Sequence, residues 1–174
     1  MARKNRRAYL NDYQKGMNGD YYYSGRYMNF EGSSEDRRKV NIYSLGLSLI
    51  VVILFLVSGF LHDKGLWNTF YVLIPFAAEA VCLALMIYRI FRLYRQIEPL
   101  KEYIYKQIVP GIQGLSLAAA ICAAAEIIAC IVFMIINKEF DVLTVVVFLV
   151  AKVISAGLMI VYNRYFKSLK WVLQ

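Results

Sequence analysis

The sequence predicts an all-α integral membrane protein: four transmembrane helices in a bundle of two in-out-in hairpins, with short cytoplasmic amphipathic helices and a tyrosine-rich N-terminal tail. Three observations lead there. Sixty per cent of the 174 residues are apolar and the mean hydropathy is positive, whereas soluble domains hold about 45 to 50% apolar residues. Four windows are nearly free of charge: 40–61 with none, 65–88 with only Glu79, 107–137 with only Glu126, and 142–163 with only Lys152. Each is long enough for a hydrocarbon core about 30 Å thick, which takes roughly 20 apolar residues at 1.5 Å rise. Lastly, seventeen of the twenty Lys and Arg lie before the first window, between the second and third, or after the fourth, against one in each of the two other turns. The excess of basic residues on one side sets orientation. Both termini and the middle loop are therefore expected in the cytoplasm, and the chain in a plasma or inner cell membrane.

Residues 1–39 form a basic tail rather than an apolar leader, so the first span is expected to be retained. Tyr21, Tyr22, Tyr23, Ser24, Gly25, Arg26 and Tyr27 suggest a small hairpin turning at Ser24 and Gly25. Tyrosine favours the bilayer interface, and each Lys or Arg near anionic headgroups contributes about 1 kcal/mol. A disordered basic tether is the other reading, since Asn18, Gly19, Gly32 and Ser33 punctuate the segment. Nucleic acid is not an expected partner, because a basic tail beside a membrane serves topology and lipid contact.

The transmembrane domain is expected over 40–163, with spans at about 40–61, 66–89, 111–136 and 142–163. The first carries small residues but no charge, so it packs and anchors. His62, in the turn that follows, is the only histidine and lacks the neighbours of a metal site or catalytic dyad. In the second span Pro75 removes one helical hydrogen bond, and a kink is expected about one turn before Glu79. Arg89, Arg92 and Arg95 then lead to Pro99, which fits the start of an interfacial amphipathic helix over 99–109, ended by Pro110 and Gly111.

The third span is rich in Gly, Ala and Ser, which let neighbouring helices approach closely. It is expected at the centre of the bundle. The tail 164–174 alternates Tyr165, Phe166, Leu169 and Val172 with Arg164, Lys167 and Lys170, and Trp171 is an expected interfacial anchor. Together with Tyr21, Tyr22, Tyr23, Tyr27, Arg89, Arg92 and Arg95, the residues Lys167, Lys170 and Trp171 are the expected contacts for lipid with anionic headgroups or for a partner. A weak repeat adds to the symmetry: Gly46 to Leu49 and Gly114 to Leu117 both read Gly-Leu-Ser-Leu.

The residues able to carry chemistry are the intramembrane charges. Glu126 lies 13 residues before Glu139 and Lys152 lies 13 after it, so an antiparallel pair of helices brings both to one depth, roughly 20 Å from the turn. Glu79, 15 residues past Lys64, falls in the same layer by the same rise. Each isolated charge at a helix centre costs about 2.5 to 3.5 kcal/mol on insertion scales. Two functions could justify that expense. In the first, a Glu126–Lys152 pair locks the bundle of a non-enzymatic subunit or oligomeric scaffold, self-associating or joined to a larger membrane complex. In the alternative, Glu79, Glu126 and Lys152 serve a small proton- or cation-coupled transporter or channel, because two acids against one base leave a carboxylate free for a proton or cation. No cofactor or metal is expected: Cys122, Glu126 and Cys130 share a helix face, but two thiols without histidine make a poor site. Phosphate-binding loops, dinucleotide fingerprints and metalloprotease motifs are absent from the sequence, so the expectation is a protein that is not an enzyme.

Overall fold

The computed structural model describes residues 12–32, 34–61, 64–96, 99–137 and 139–173. The basic start of the tail, the turn residues His62 and Asp63, and Glu98 and Lys138 lie outside them. Four long apolar helices dominate: α1 (Ser34–Phe60), α3 (Phe70–Tyr94), α4 (Glu102–Ile136) and α5 (Val142–Ser168), with a single turn, α2 (Lys64–Trp67), between the first two. All four are long and apolar enough to cross a membrane. Their outward residues (Ile42, Leu49, Ile74, Ile128, Val153 among others) are large and apolar, as lipid-facing positions require.

Around the bundle, α1 packs on α3, α3 on α4, α4 on α5, and α5 back on α1. The helix α4 packs between α3 and α5 through its small residues: Ser116, Ala119, Ala120, Ala123 and Ala129 are buried. Such residues permit the close approach that drives packing where lipid tails are as apolar as leucine. By the same measure α1 is peripheral, with 17% of its apolar window buried against 39% for α4 and α5.

Helix α4 starts well before the span the sequence predicts. The segment expected as a separate amphipathic helix over 99–109 supplies the short strand β4 (Leu100–Lys101) and then the first turns of α4, which runs on through Pro110. Ile108, Val109 and Ile112 are buried on both sides of that proline. Packing outweighs one missing hydrogen bond, and Pro110 itself is exposed. Helix α3 likewise continues across Pro75, its sixth residue.

The tail differs more. Instead of turning at Ser24 and Gly25, the hairpin joins β1 (Tyr13–Lys15) to β2 (Tyr21–Tyr23), pairing Tyr13 with Tyr23. Its turn uses Gly19 at φ 86°, a conformation that costs glycine nothing. After Gly25 the chain enters a second sheet, in which β3 (Tyr27–Phe30) lies between β4 and β5 (Trp171–Leu173), antiparallel to both. Both tails and the connection between α3 and α4 thus meet at one end of the bundle, called here the sheet end. The opposite end carries α2 and the α4–α5 turn, where the Asp141 carboxylate accepts from the Leu143 amide at 3.2 Å and caps α5.

The residues 164–174 do not form an amphipathic helix: α5 stops at Ser168 and β5 follows. Trp171 therefore packs on Phe30 and Tyr105, with ring centroids at 5.6 and 5.3 Å, and is no free anchor. Tyr23 is buried against Tyr13, Tyr27 and Tyr103. Lys101 stands 5.0 Å from the Tyr13 and Tyr23 ring centres.

Candidate functional site

A charged layer divides the interior. On its sheet side lies a core built on Leu83, Met86, Ile90, Ile112 and Met159, and on its other side a smaller core of Leu66, Val72, Cys130, Phe133 and Phe148. Between them Glu79 of α3, Glu126 of α4 and Lys152 of α5 converge, with relative exposures of 0%, 0% and 1%. The sequence sets this depth: the three residues sit nine or ten positions from the turn-end termini of their helices, about 15 Å by the helical rise.

The lysine serves both acids. Its Nζ lies 2.5 Å from Glu79 Oε2 and 2.8 Å from Glu126 Oε2. Only the first contact has hydrogen-bond geometry, and Glu79 also accepts from the Ser155 hydroxyl at 3.3 Å. Glu126 is held differently: among the described residues neither of its oxygens has a hydrogen-bond donor. The two carboxylates are therefore unequal, one held by Lys152 and Ser155 and the other by the Lys152 ammonium alone, at 2.8 Å.

Three rings enclose the same ammonium. Phe76 of α3, Phe55 of α1 and Phe148 of α5 place their centroids 4.7, 4.8 and 5.6 Å from Lys152 Nζ, within reach of attraction between a cation and a ring face. Phe55 and Phe76 stack at 4.4 Å. Trp67 of α2 leans edge-on against Phe76 at 4.7 Å and Phe148 at 6.1 Å, its indole N–H donating to the Leu61 carbonyl at 2.8 Å. This aromatic stack closes the site toward the turn end. All four long helices contribute a side chain to it.

Toward the sheet end the next turns along the helices are apolar: Leu83, Met86, Ala119, Ala120, Ala123 and Met159 are all buried. Beyond them a second polar layer begins. There Asn163 donates to the Gln113 carbonyl at 2.6 Å and to the Ser116 hydroxyl at 3.0 Å, and Ser44 pairs with Tyr162 at 2.6 Å. The charged layer is thus closed off by an aromatic group on one side and an alanine and methionine layer on the other.

The other expected contacts are dispersed. Tyr21 and Tyr22 are exposed on the hairpin, and Lys167 and Lys170 are exposed near the end of α5. Arg92 and Arg95 line a shallow cavity of about 360 Å³ with Tyr88, Phe91 and Gln96. Arg89 donates to the Gln107 carbonyl at 3.2 Å, over Gly111, where an added Cβ would overlap the guanidinium. The cysteines are free, and no cluster of three potential metal ligands occurs among the described residues.

Sequence reasoning brought the three charges to one layer but missed the rings and Ser155. Helical spacing held part of that signal: Phe148 precedes Lys152 by four residues, Ser155 follows it by three, and Phe76 precedes Glu79 by three. Phe55 had no such marker, because α1 carries no charge near it. Compared with known protein families, curated proteins and solved structures, the chain matches none.

Proposed function

We propose that the chain is a small proton- or cation-coupled transporter that works through Glu79, Glu126 and Lys152 near the middle of the bilayer. The observation that carries this reading is the charge count in a buried layer: two buried carboxylates share one ammonium. Full ionisation leaves one uncompensated negative charge, which a buried site does not tolerate without a counter-charge. A proton or a cation supplies it. Glu126, with no hydrogen-bond donor among the described residues, is the group that exchanges it, and Glu79 is the fixed counter-ion of Lys152. Buried ionisable groups inside a membrane bundle mark such pathways by default.

In this reading the two helix pairs are in-out-in hairpins with both termini cytoplasmic. The distribution of Lys and Arg supports that orientation, and the sheet that gathers both tails and the α3–α4 connection is compatible with it. The enclosed charged layer corresponds to an occluded state, so transport requires the aromatic group or the alanine layer to open in turn. The chemistry is binding and release without bond making, and the protein is read as non-enzymatic.

The test is flux in vesicles reconstituted with the purified chain and loaded with a pH-sensitive dye. Wild type is expected to dissipate an imposed proton or monovalent-cation gradient faster than empty vesicles, and Glu126→Gln to lose that flux while remaining folded. Flux unchanged in Glu126→Gln overturns the reading. The second reading, a non-enzymatic subunit or scaffold locked by its charges, is favoured by the complete enclosure of Lys152. It predicts that Glu126→Gln and Lys152→Met each destroy assembly and that the double change restores it.

A further inference from the structure

We infer that the compartment around the Lys152 ammonium is a binding site for a primary alkylammonium ion, with Lys152 as its resident competitor. The inference rests on the transport reading and names the substrate class of that site. A lysine held only for an ion pair needs carboxylates; this one also stands inside rings contributed by three helices, α1, α3 and α5. Faces of several rings around one nitrogen are the chemistry that recognises ammonium ligands. The charge is in surplus as well, since Glu79 and Glu126 offer four carboxylate oxygens, and Glu126 Oε1 has no donor among the described residues.

Those walls also discriminate. Hard inorganic cations demand a shell of oxygen ligands on all sides, and the ring faces of Phe55, Phe76 and Phe148 supply none. An alkylammonium brings a nitrogen that can stand where the Lys152 Nζ does, against the carboxylates and among the ring faces. Because Glu79, Glu126 and Phe148 have no exposed surface and Lys152 has 1%, the compartment is full. A ligand ammonium enters only as that of Lys152 leaves, so the two exclude each other.

Truncation at residue 152 exposes the site directly. Lys152→Ala removes three methylenes and the ammonium, the shape of n-propylammonium. The purified full-length variant in lipid nanodiscs is expected to melt well below wild type and to recover saturably, by at least half of the loss, in millimolar n-propylammonium. The neutral n-propanol and sodium ion should leave its melting unchanged. Should Lys152→Ala not survive purification, scintillation-proximity binding of radiolabelled n-propylammonium to wild type is the second measurement: weak saturable binding is expected, reduced about fivefold in Phe76→Leu, the loss of roughly one ring contact. Equal recovery in n-propanol, or neither recovery nor binding, overturns the inference. Proton or inorganic-cation flux without amine binding removes this inference and leaves the transport reading; amine binding without any flux removes the transport reading and leaves a static ammonium site.

Discussion

Replacing Glu126 by glutamine should be the mildest change in the charged layer, and the geometry gives its rank against its neighbours. Lys152→Met leaves two buried carboxylates without a cation, a loss of the kind that costs about 3 to 5 kcal/mol. Glu79→Gln weakens the 2.5 Å bond to Lys152 and the bond from Ser155, about 1.5 to 3 kcal/mol for a hydrogen bond to a charged group. Glu126→Gln removes a carboxylate that accepts no hydrogen bond among the described residues and leaves one acid against one base, so its cost should stay within about 1 kcal/mol. For a chain of this length a kilocalorie moves the melting temperature by roughly 2 to 4 °C. Lys152→Met should then melt roughly 6 to 20 °C below wild type and Glu126→Gln within about 4 °C of it. Melting followed by circular dichroism in nanodiscs reads this order. The reasoning fails if Glu126→Gln falls as far as Lys152→Met, or further than Glu79→Gln.

Three further outcomes follow from features outside that layer. Asp141→Ala should lower stability by about 1 kcal/mol, the usual loss of a helix N-cap, read in the same melts and largely recovered by Asp141→Asn. Trp171→Phe should be within about 0.5 kcal/mol of wild type, because the indole N–H is buried without a partner among the described residues. Trp171→Ala, which gives up the contacts with Phe30 and Tyr105, should cost about 1 to 3 kcal/mol on the scale of aromatic pairs and speed hydrogen exchange across Tyr27–Phe30. Hydrogen bonds from Tyr103 and Lys101 hold the Tyr13 phenol below its ordinary 10.0. The stability linked to that ionisation is present above pH 10.0 and lost as pH falls through the lowered value. Lys101→Met should therefore destabilise the tail more in alkali than at neutral pH. Ultraviolet titration should place the Tyr13 phenolate signal, identified by its loss in Tyr13→Phe, below that of an ordinary tyrosine.

The helices and the charged layer were legible because the bilayer imposes a simple rule: apolar length gives the spans, and equal counts from a shared turn give equal depth. Glu126 and Lys152 meet on that arithmetic, and Glu79 joins them. What the sequence did not disclose came from contacts far apart along the chain. Tyr27–Phe30 follows Tyr21–Tyr23 closely in the same tail, yet it pairs with Leu100–Lys101 and Trp171–Leu173, which no local turn signal encodes. Pro110 was read as a helix end because its missing N–H is a local fact. The burial of Ile108, Val109 and Ile112 is a tertiary one. The lysine and two of the three rings around it come from separate spans, and only their assembly reveals that the second acid has no hydrogen-bond donor among the described residues.

The central strand at the sheet end also fixes an order of events. During synthesis Tyr27–Phe30 leaves the ribosome before α1 has inserted, while its partner Trp171–Leu173 emerges after α5. Until then β3 presents an unpaired edge beside the membrane, open to chaperones or to another chain. Closing that edge waits on the strand that follows α5, so removing Trp171–Leu173 would leave an inserted bundle with an unfinished seam at its sheet end.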